Sequence, residues 1–142
     1  MFVYHDRLTR HVLSDTHVFK PSRLRDTYNL LNSFGAFEMD NAKLTEPRQV
    51  TVDELRSFHT AGYIDAVAAL THGQKLSNAA MYGFSNGGDN PIYADMYDSA
   101  LWTTGASLTA TEQLLGARCA VAVNFSGGLH HAMPNYAAGF CI

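Results

Sequence analysis

Two adjacent histidines, His130 and His131, stand in the run Ser126-Gly127-Gly128-Leu129-His130-His131-Ala132. Imidazole is the side chain whose ordinary pKa lies nearest neutrality, so a positioned histidine can take a proton from water and return it to a leaving amine. The glycines allow backbone shapes and close approaches that a Cβ forbids. Metal binding is the other chemistry open to two histidines. Adjacent side chains on extended backbone point to opposite sides, and zinc wants three or four protein ligands. No His-Glu-x-x-His or Cys-x-x-Cys spacing completes such a set. The pair suits acid–base work better than ligation, and a hydrogen-bonded structural corner is the competing reading.

The elements that must position this run come before it. Phe2-Val3-Tyr4 is a short apolar run fit for a first strand, and Ala36–Met39 for a second. Lys20-Pro21-Ser22 opens a helix whose face is Leu24, Tyr28, Leu31 and Phe34, with Gly35 as its stop. Thr51-Val52-Asp53-Glu54 is a capping box. A further helical pattern runs from Tyr63 to Leu70 and ends near Gly73, and residues 74–90 form a long Ser/Asn/Gly-rich loop. The strongest helix pattern is expected to open at Asn90-Pro91, capped by Asp89 or Asn90, with a face of Tyr97, Leu101, Thr104, Leu108, Thr111 and Leu115 and a stop at Gly116. Gly105 costs about 1 kcal/mol against alanine in a helix interior, which a closely approaching backbone would justify. The apolar run Cys119–Phe125 suits a parallel strand covered on both faces. Helices alternating with such strands predict an α/β fold with a parallel sheet, whose reactive crevice lies beyond the strands' carboxyl ends, where the histidine pair falls.

The bulk properties bound the function. A length of 142 residues fits a single domain, 1–142. Ten Lys and Arg against thirteen Asp and Glu, dispersed along the chain, offer no platform for nucleic acid. No apolar stretch is long enough for a bilayer, and Met1–Arg7 has no secretory pattern. Cys119 and Cys141 read as reduced core thiols of a cytoplasmic protein.

The run from Ser126 to Ala132, followed by Ala138-Gly139-Phe140-Cys141, resembles the signature of histone deacetylases and of the related acetoin-utilisation and acetylpolyamine deacetylases. His17–Arg23, Glu54–Ile64, Gly88-Asp89-Asn90-Pro91 and Thr104-Gly105-Ala106-Ser107 are similar to further elements of that family in the same order, with Val18 where the family usually has proline. The resemblance implies a partial three-layer α/β/α sandwich with its first strands ordered 2-1-3. It implies His131 as general base and His130 as its electrostatic partner. Asp89 would bind the backbone of an acyl-lysine-like or acylpolyamine-type substrate, Gly139 and Phe140 would line the channel for its alkyl chain, and Arg23 would sit in an internal cavity. The parent family uses zinc, held by an Asp-x-His pair and a later Asp that have no counterpart among these residues, so no metal ligand is assigned and no zinc is expected for this chain alone.

On the bland side, Asp89 reads equally as a helix cap, Arg23 as a helix-face charge, and Phe140 and Cys141 as core. His5, His11, His17, His59 and His72 are isolated and read as surface or hydrogen-bonded residues. Three functions are therefore carried forward. One is a deacetylase-like amidohydrolase portion that is inactive alone and is completed by a complementary C-terminal half. The second is a non-catalytic binding or assembly domain that forms a homo-oligomer through an exposed sheet edge at Val121–Phe125. The third is a metal site built across a symmetric interface.

Overall fold

A computed structural model describes residues 1–142. The chain forms two compact units, each assembled from three separated stretches: Met1–Arg10, Lys20–Val50 and Leu101–Gly128 in the first, and His11–Phe19, Thr51–Ala100 and Leu129–Ile142 in the second. No helix is long and apolar enough to cross a membrane.

In the first unit, strand β1 (Phe2–Val3) pairs in parallel with β2 (Leu44–Thr45), with Phe2 opposite Leu44 and Val3 opposite Thr45. Amides along β1 alternate between its two edges, as the two-residue period of a strand requires. Phe2 and Tyr4 N–H donate to the Lys43 and Thr45 carbonyls at 2.8 and 3.1 Å, while Val3 N–H donates to Val123 at 2.9 Å. β1 is thus central, in the order expected. The third strand shrinks to a single parallel bridge, Phe2 to Val123. Val121 and Phe125 are 64% and 46% exposed, so the run Cys119–Phe125 is not covered on both faces. The second strand also lies later than expected: Ala36–Glu38 is a 3-10 turn.

Helix α1 (Ser22–Ser33) buries Leu24 and lays Tyr28 and Leu31 against Phe2, Val3, Tyr4 and Leu8. Tyr4 and Tyr28 stack with ring centroids 4.5 Å apart. Phe34 lies outside this face and is exposed, because the helix has ended and Gly35 turns the chain at φ 67°.

The longest helix, α4, spans Met96–Leu115 and starts six residues after Asn90. Asp95, at φ 63°, precedes it, so neither Asp89 nor Asn90 is its cap. Its buried positions are Met96, Ser99, Gly105, Ala106 and Thr109, not the expected face, whose last member Leu115 is 83% exposed. Small residues line the buried side because backbone lies against it. A Cβ on Gly105 would stand 1.9 Å from the Arg48 carbonyl oxygen, which supplies the close neighbour that this glycine implied. Arg48 N–H donates to Thr109 Oγ1 at 3.2 Å, and Val50 N–H to the Leu101 carbonyl at 3.1 Å. After the helix the left-handed residue is Ala117, at φ 51°, rather than Gly116.

In the second unit, α2 (Val52–Leu55) begins with the capping box read from the sequence: Glu54 N–H donates to Thr51 Oγ1, and Thr51 N–H to Glu54 Oε2. α3 (Ala61–Thr71) is capped by the Thr60 hydroxyl and buries Tyr63, Ile64, Ala66, Val67 and Leu70. The stretch expected as a loop includes a 3-10 turn at Ala79–Tyr82. Its Leu76, Ala79, Tyr82 and Phe84 pack into the same core as Tyr63, Val67 and Leu70.

Candidate active site

The histidine pair lies on the closing stretch of the second unit, and hydrogen bonds from successive elements pin that stretch. Thr60 N–H, at the start of α3, donates to the Pro134 carbonyl at 2.8 Å, and His59 Nδ1 meets the Met133 carbonyl at 3.2 Å. Ala137 N–H donates to the Tyr82 carbonyl at 2.9 Å. That approach requires Gly83, where a Cβ would stand 2.0 Å from the Ala137 carbonyl oxygen. Asn90 Nδ2 donates to the Cys141 carbonyl at 3.0 Å in a buried bond.

Residues 138–141 form a tight turn. Ala138 and Cys141 exchange both backbone hydrogen bonds, at 3.1 and 2.9 Å, and the central residues Gly139 and Phe140 have φ values of 51° and 70°. Two positive φ values in succession define the type I′ turn. Glycine accepts this conformation freely, but for a bulky residue it costs about 1–3 kcal/mol and persists only where the surroundings enforce it. The surroundings of Phe140 are specific. His17 meets its ring edge-on with centroids 4.6 Å apart, and His11 Nε2 bonds its carbonyl at 3.1 Å.

The turn backs His131. A Cβ on Gly139 would lie 2.9 Å from His131 Cγ, so the imidazole packs directly on the glycine. His131 N–H donates to Cys141 Sγ, and the thiol in turn donates to the Gly139 carbonyl, each at 3.4 Å. The two imidazoles do not diverge as extended backbone would make them. Their centroids are 4.4 Å apart with 34° between planes, because residues 129–132 are not in a strand. Both residues are exposed to solvent. The arrangement presents two adjacent acid–base groups on a rigid backing, open on one side. No group of three His, Cys, Asp or Glu side chains converges anywhere among residues 1–142.

A histone deacetylase domain matches residues 17–142, nine-tenths of the sequence and all of the stretch just described. The chain belongs to the histone deacetylase family. Across its whole length it is 32% identical to the acetoin utilization protein AcuC of Bacillus subtilis, of which it covers 36%. It is 28% identical over 99% of its length to histone deacetylase HDAC1 of Drosophila melanogaster, covering 27% of that protein. Over 88% of its length it is 31% identical to histone deacetylase RPD3 of Saccharomyces cerevisiae, covering 29%. The chain spans about a third of the length of these relatives.

Of the residues that the deacetylase resemblance singled out, His130, His131, Gly139, Phe140 and Asp89 all lie in the second unit. His131 touches both His130 and Gly139 as described, and Phe140 completes the turn. Asp89 is exposed, while its neighbour Asn90 is the buried residue that reaches Cys141. Arg23 belongs to the first unit, on the exposed first turn of α1. Sequence reasoning took Asn90 only as a possible helix cap and His11 only as a surface or hydrogen-bonded residue, and gave neither of them nor Tyr93 a place at the site. Their partners lie 51 to 129 positions away, and no local signal announces them.

Burial disfavours the cationic form of His11 and of His59, holding both below the ordinary histidine value of 6.5, although the carbonyls they meet oppose the shift. The unfolded chain therefore binds more protons than the folded one as pH falls below about 6.5. Their contribution to stability is complete above that pH and is lost on acidification. Urea unfolding at pH 7.5, 6.5 and 5.5 should show a falling midpoint, and the fall should be smaller in His11→Gln.

Proposed function

We propose that this chain supplies the acid–base histidines of a histone-deacetylase-type amidohydrolase acting on acetyl-lysine or acetylated polyamine amides. His131 takes a proton from the attacking water and returns it to the departing amine, while His130 stabilises the charge that His131 gains. Asp89 contacts substrate at the rim, and Gly139 and Phe140 flank its alkyl chain; the exposed Arg23 of α1 is given no part in this site. The fold that this family reading implies is a partial three-layer α/β/α sandwich. The free thiols of Cys119 and Cys141 suit a reducing cytoplasm.

The observation that carries this reading is the seating of the His131 ring on Gly139 beside His130. A structural corner would hold a histidine by its ring nitrogens, whereas His131 is held by its backbone and its carbon face. The family resemblance also implies zinc. Residues 1–142 do not fit one by themselves, since no three candidate ligands converge, so the chemistry assigned to them is limited to proton transfer. We accordingly propose that the chain alone does not turn over. Purified chain with added zinc should leave acetyl-lysine peptides and acetylated polyamines intact. Joined to the remaining two-thirds of the Bacillus subtilis relative, it should hydrolyse them. Turnover by the chain alone, or none from a folded joined protein, would overturn the reading.

A second reading is favoured by the exposed Val121 and Phe125, beside the bridge that ends the sheet. There the chain is an assembly domain that pairs with another copy along this edge. Light scattering that finds a monomer at all concentrations would dismiss it.

A further inference from the structure

We propose that His11 is a positioning residue for the Gly139–Phe140 turn and, through that turn, for His131. The inference rests on the acid–base reading of His131 and extends it to a side chain that touches neither substrate nor the reacting atoms.

His11 is 4% exposed, and both of its ring nitrogens are engaged. Nε2 meets the Phe140 carbonyl at 3.1 Å and Nδ1 meets the Tyr93 hydroxyl at 2.6 Å. A carbonyl can only accept, so Nε2 carries the hydrogen. In a neutral ring Nδ1 then holds a lone pair and accepts from the Tyr93 O–H. Burial acts on both partners in the same sense, keeping His11 neutral and the Tyr93 phenol protonated. His17 and Asp95 are the other titratable groups acting on this pair. His17 further disfavours charge on His11, and Asp95 further disfavours the phenolate. Each atom of the chain Tyr93–His11–Phe140 therefore has one role, and its direction is set.

What the chain holds is the strained element. The Phe140 carbonyl belongs to the peptide that follows φ 70°, and relaxing that residue to a negative φ would swing the carbonyl away from His11. The remaining bonds of the turn engage other groups: Ala138 and Cys141 bond each other, Asn90 holds the Cys141 carbonyl, and His17 touches the Phe140 ring. His11 alone among them grips the Phe140 carbonyl. Gly139 lies under the His131 ring and Cys141 Sγ accepts the His131 amide, so a loosened turn frees both supports of that imidazole.

The test is amide hydrogen exchange on the full chain, followed by NMR at the Ala138, Cys141 and His131 amides. His11→Phe should speed exchange at these positions by about tenfold or more, through local opening, while amides in α1 keep their rates. His11→Gln, whose side-chain N–H₂ can reach the Phe140 carbonyl, should stay within about threefold of the original rates. His11→Asn keeps an acceptor for Tyr93 but is too short to reach the carbonyl, and should behave as the phenylalanine variant does. Unchanged rates in His11→Phe, or equal behaviour of the Gln and Asn variants, overturn the proposal. If His11→Phe does not fold, the contrast between Gln and Asn decides. Because exchange needs no turnover, the dependence of the turn on His11 can hold even where replacing His131 in the joined enzyme proves harmless, and the two claims fail separately.

Discussion

Replacing His131 by phenylalanine in the joined deacetylase should lower kcat by roughly 10²–10⁴-fold, the usual worth of a positioned acid–base group, and leave KM nearly unchanged. Phenylalanine keeps a flat ring of similar size over Gly139, so the loss would report proton transfer rather than a collapsed turn. The amide contacts of residue 131 with Cys141 belong to the backbone and survive the change. Asp89→Asn provides the contrast. A rim contact that binds ground state and transition state alike should raise KM while leaving kcat close to its original value. Retention of kcat within a few-fold in His131→Phe would remove the histidine from the chemistry, and the deacetylase reading of this site with it.

A large effect on stability is expected at Gly105. Alanine is the better helix former by about 1 kcal/mol, and in an open helix the change would stabilise. In α4 the added Cβ would be 1.9 Å from the Arg48 carbonyl oxygen and 2.8 Å from the Val50 nitrogen. Both are backbone atoms that cannot rotate away, and their residues are tied to the helix by the Arg48 N–H bond to Thr109 and the Val50 N–H bond to Leu101. Forcing them apart costs about 3 kcal/mol or more, which outweighs the propensity gain. Gly105→Ala should lower Tm by roughly 10 °C or prevent folding. Gly62→Ala is the control: its Cβ would meet nothing closer than the Tyr82 hydroxyl at 3.9 Å, so it should be neutral or slightly stabilising. Equal melting temperatures for the two variants would contradict the packing described.

What could be read from the sequence was what is decided within a few residues. The capping box at Thr51–Glu54 and the stop at Gly35 follow from local geometry, and each is found in the structure; Gly105 announced a close neighbour but not that Arg48 would supply it. The start of α4 was misplaced for the opposite reason. Asn90-Pro91 has the chemistry of a helix opening, but the Asn90 side chain is taken by the Cys141 carbonyl 51 positions on, which no window of sequence reveals. Its face was misjudged because large apolar residues were counted, whereas the buried side is built from Ser99, Gly105, Ala106 and Thr109. β2 escaped because two residues are too few to show a period. At the site, the motif named His130, His131, Gly139 and Phe140, but nothing in it showed that His131 would rest on Gly139. Which groups His11 would bond was hidden, since both its partners lie in distant parts of the chain.

β1 has a consequence for biosynthesis. Its neighbour on one side is made much later: Val3 N–H bonds the Val123 carbonyl at 2.9 Å, 120 positions on. At ordinary elongation speeds the ribosome needs on the order of ten seconds to cover that distance, and all that while the oily Phe2-Val3-Tyr4 must wait outside the exit tunnel with one flank bare. A nascent chain of this kind should depend on holding chaperones more than one whose strands pair with near neighbours.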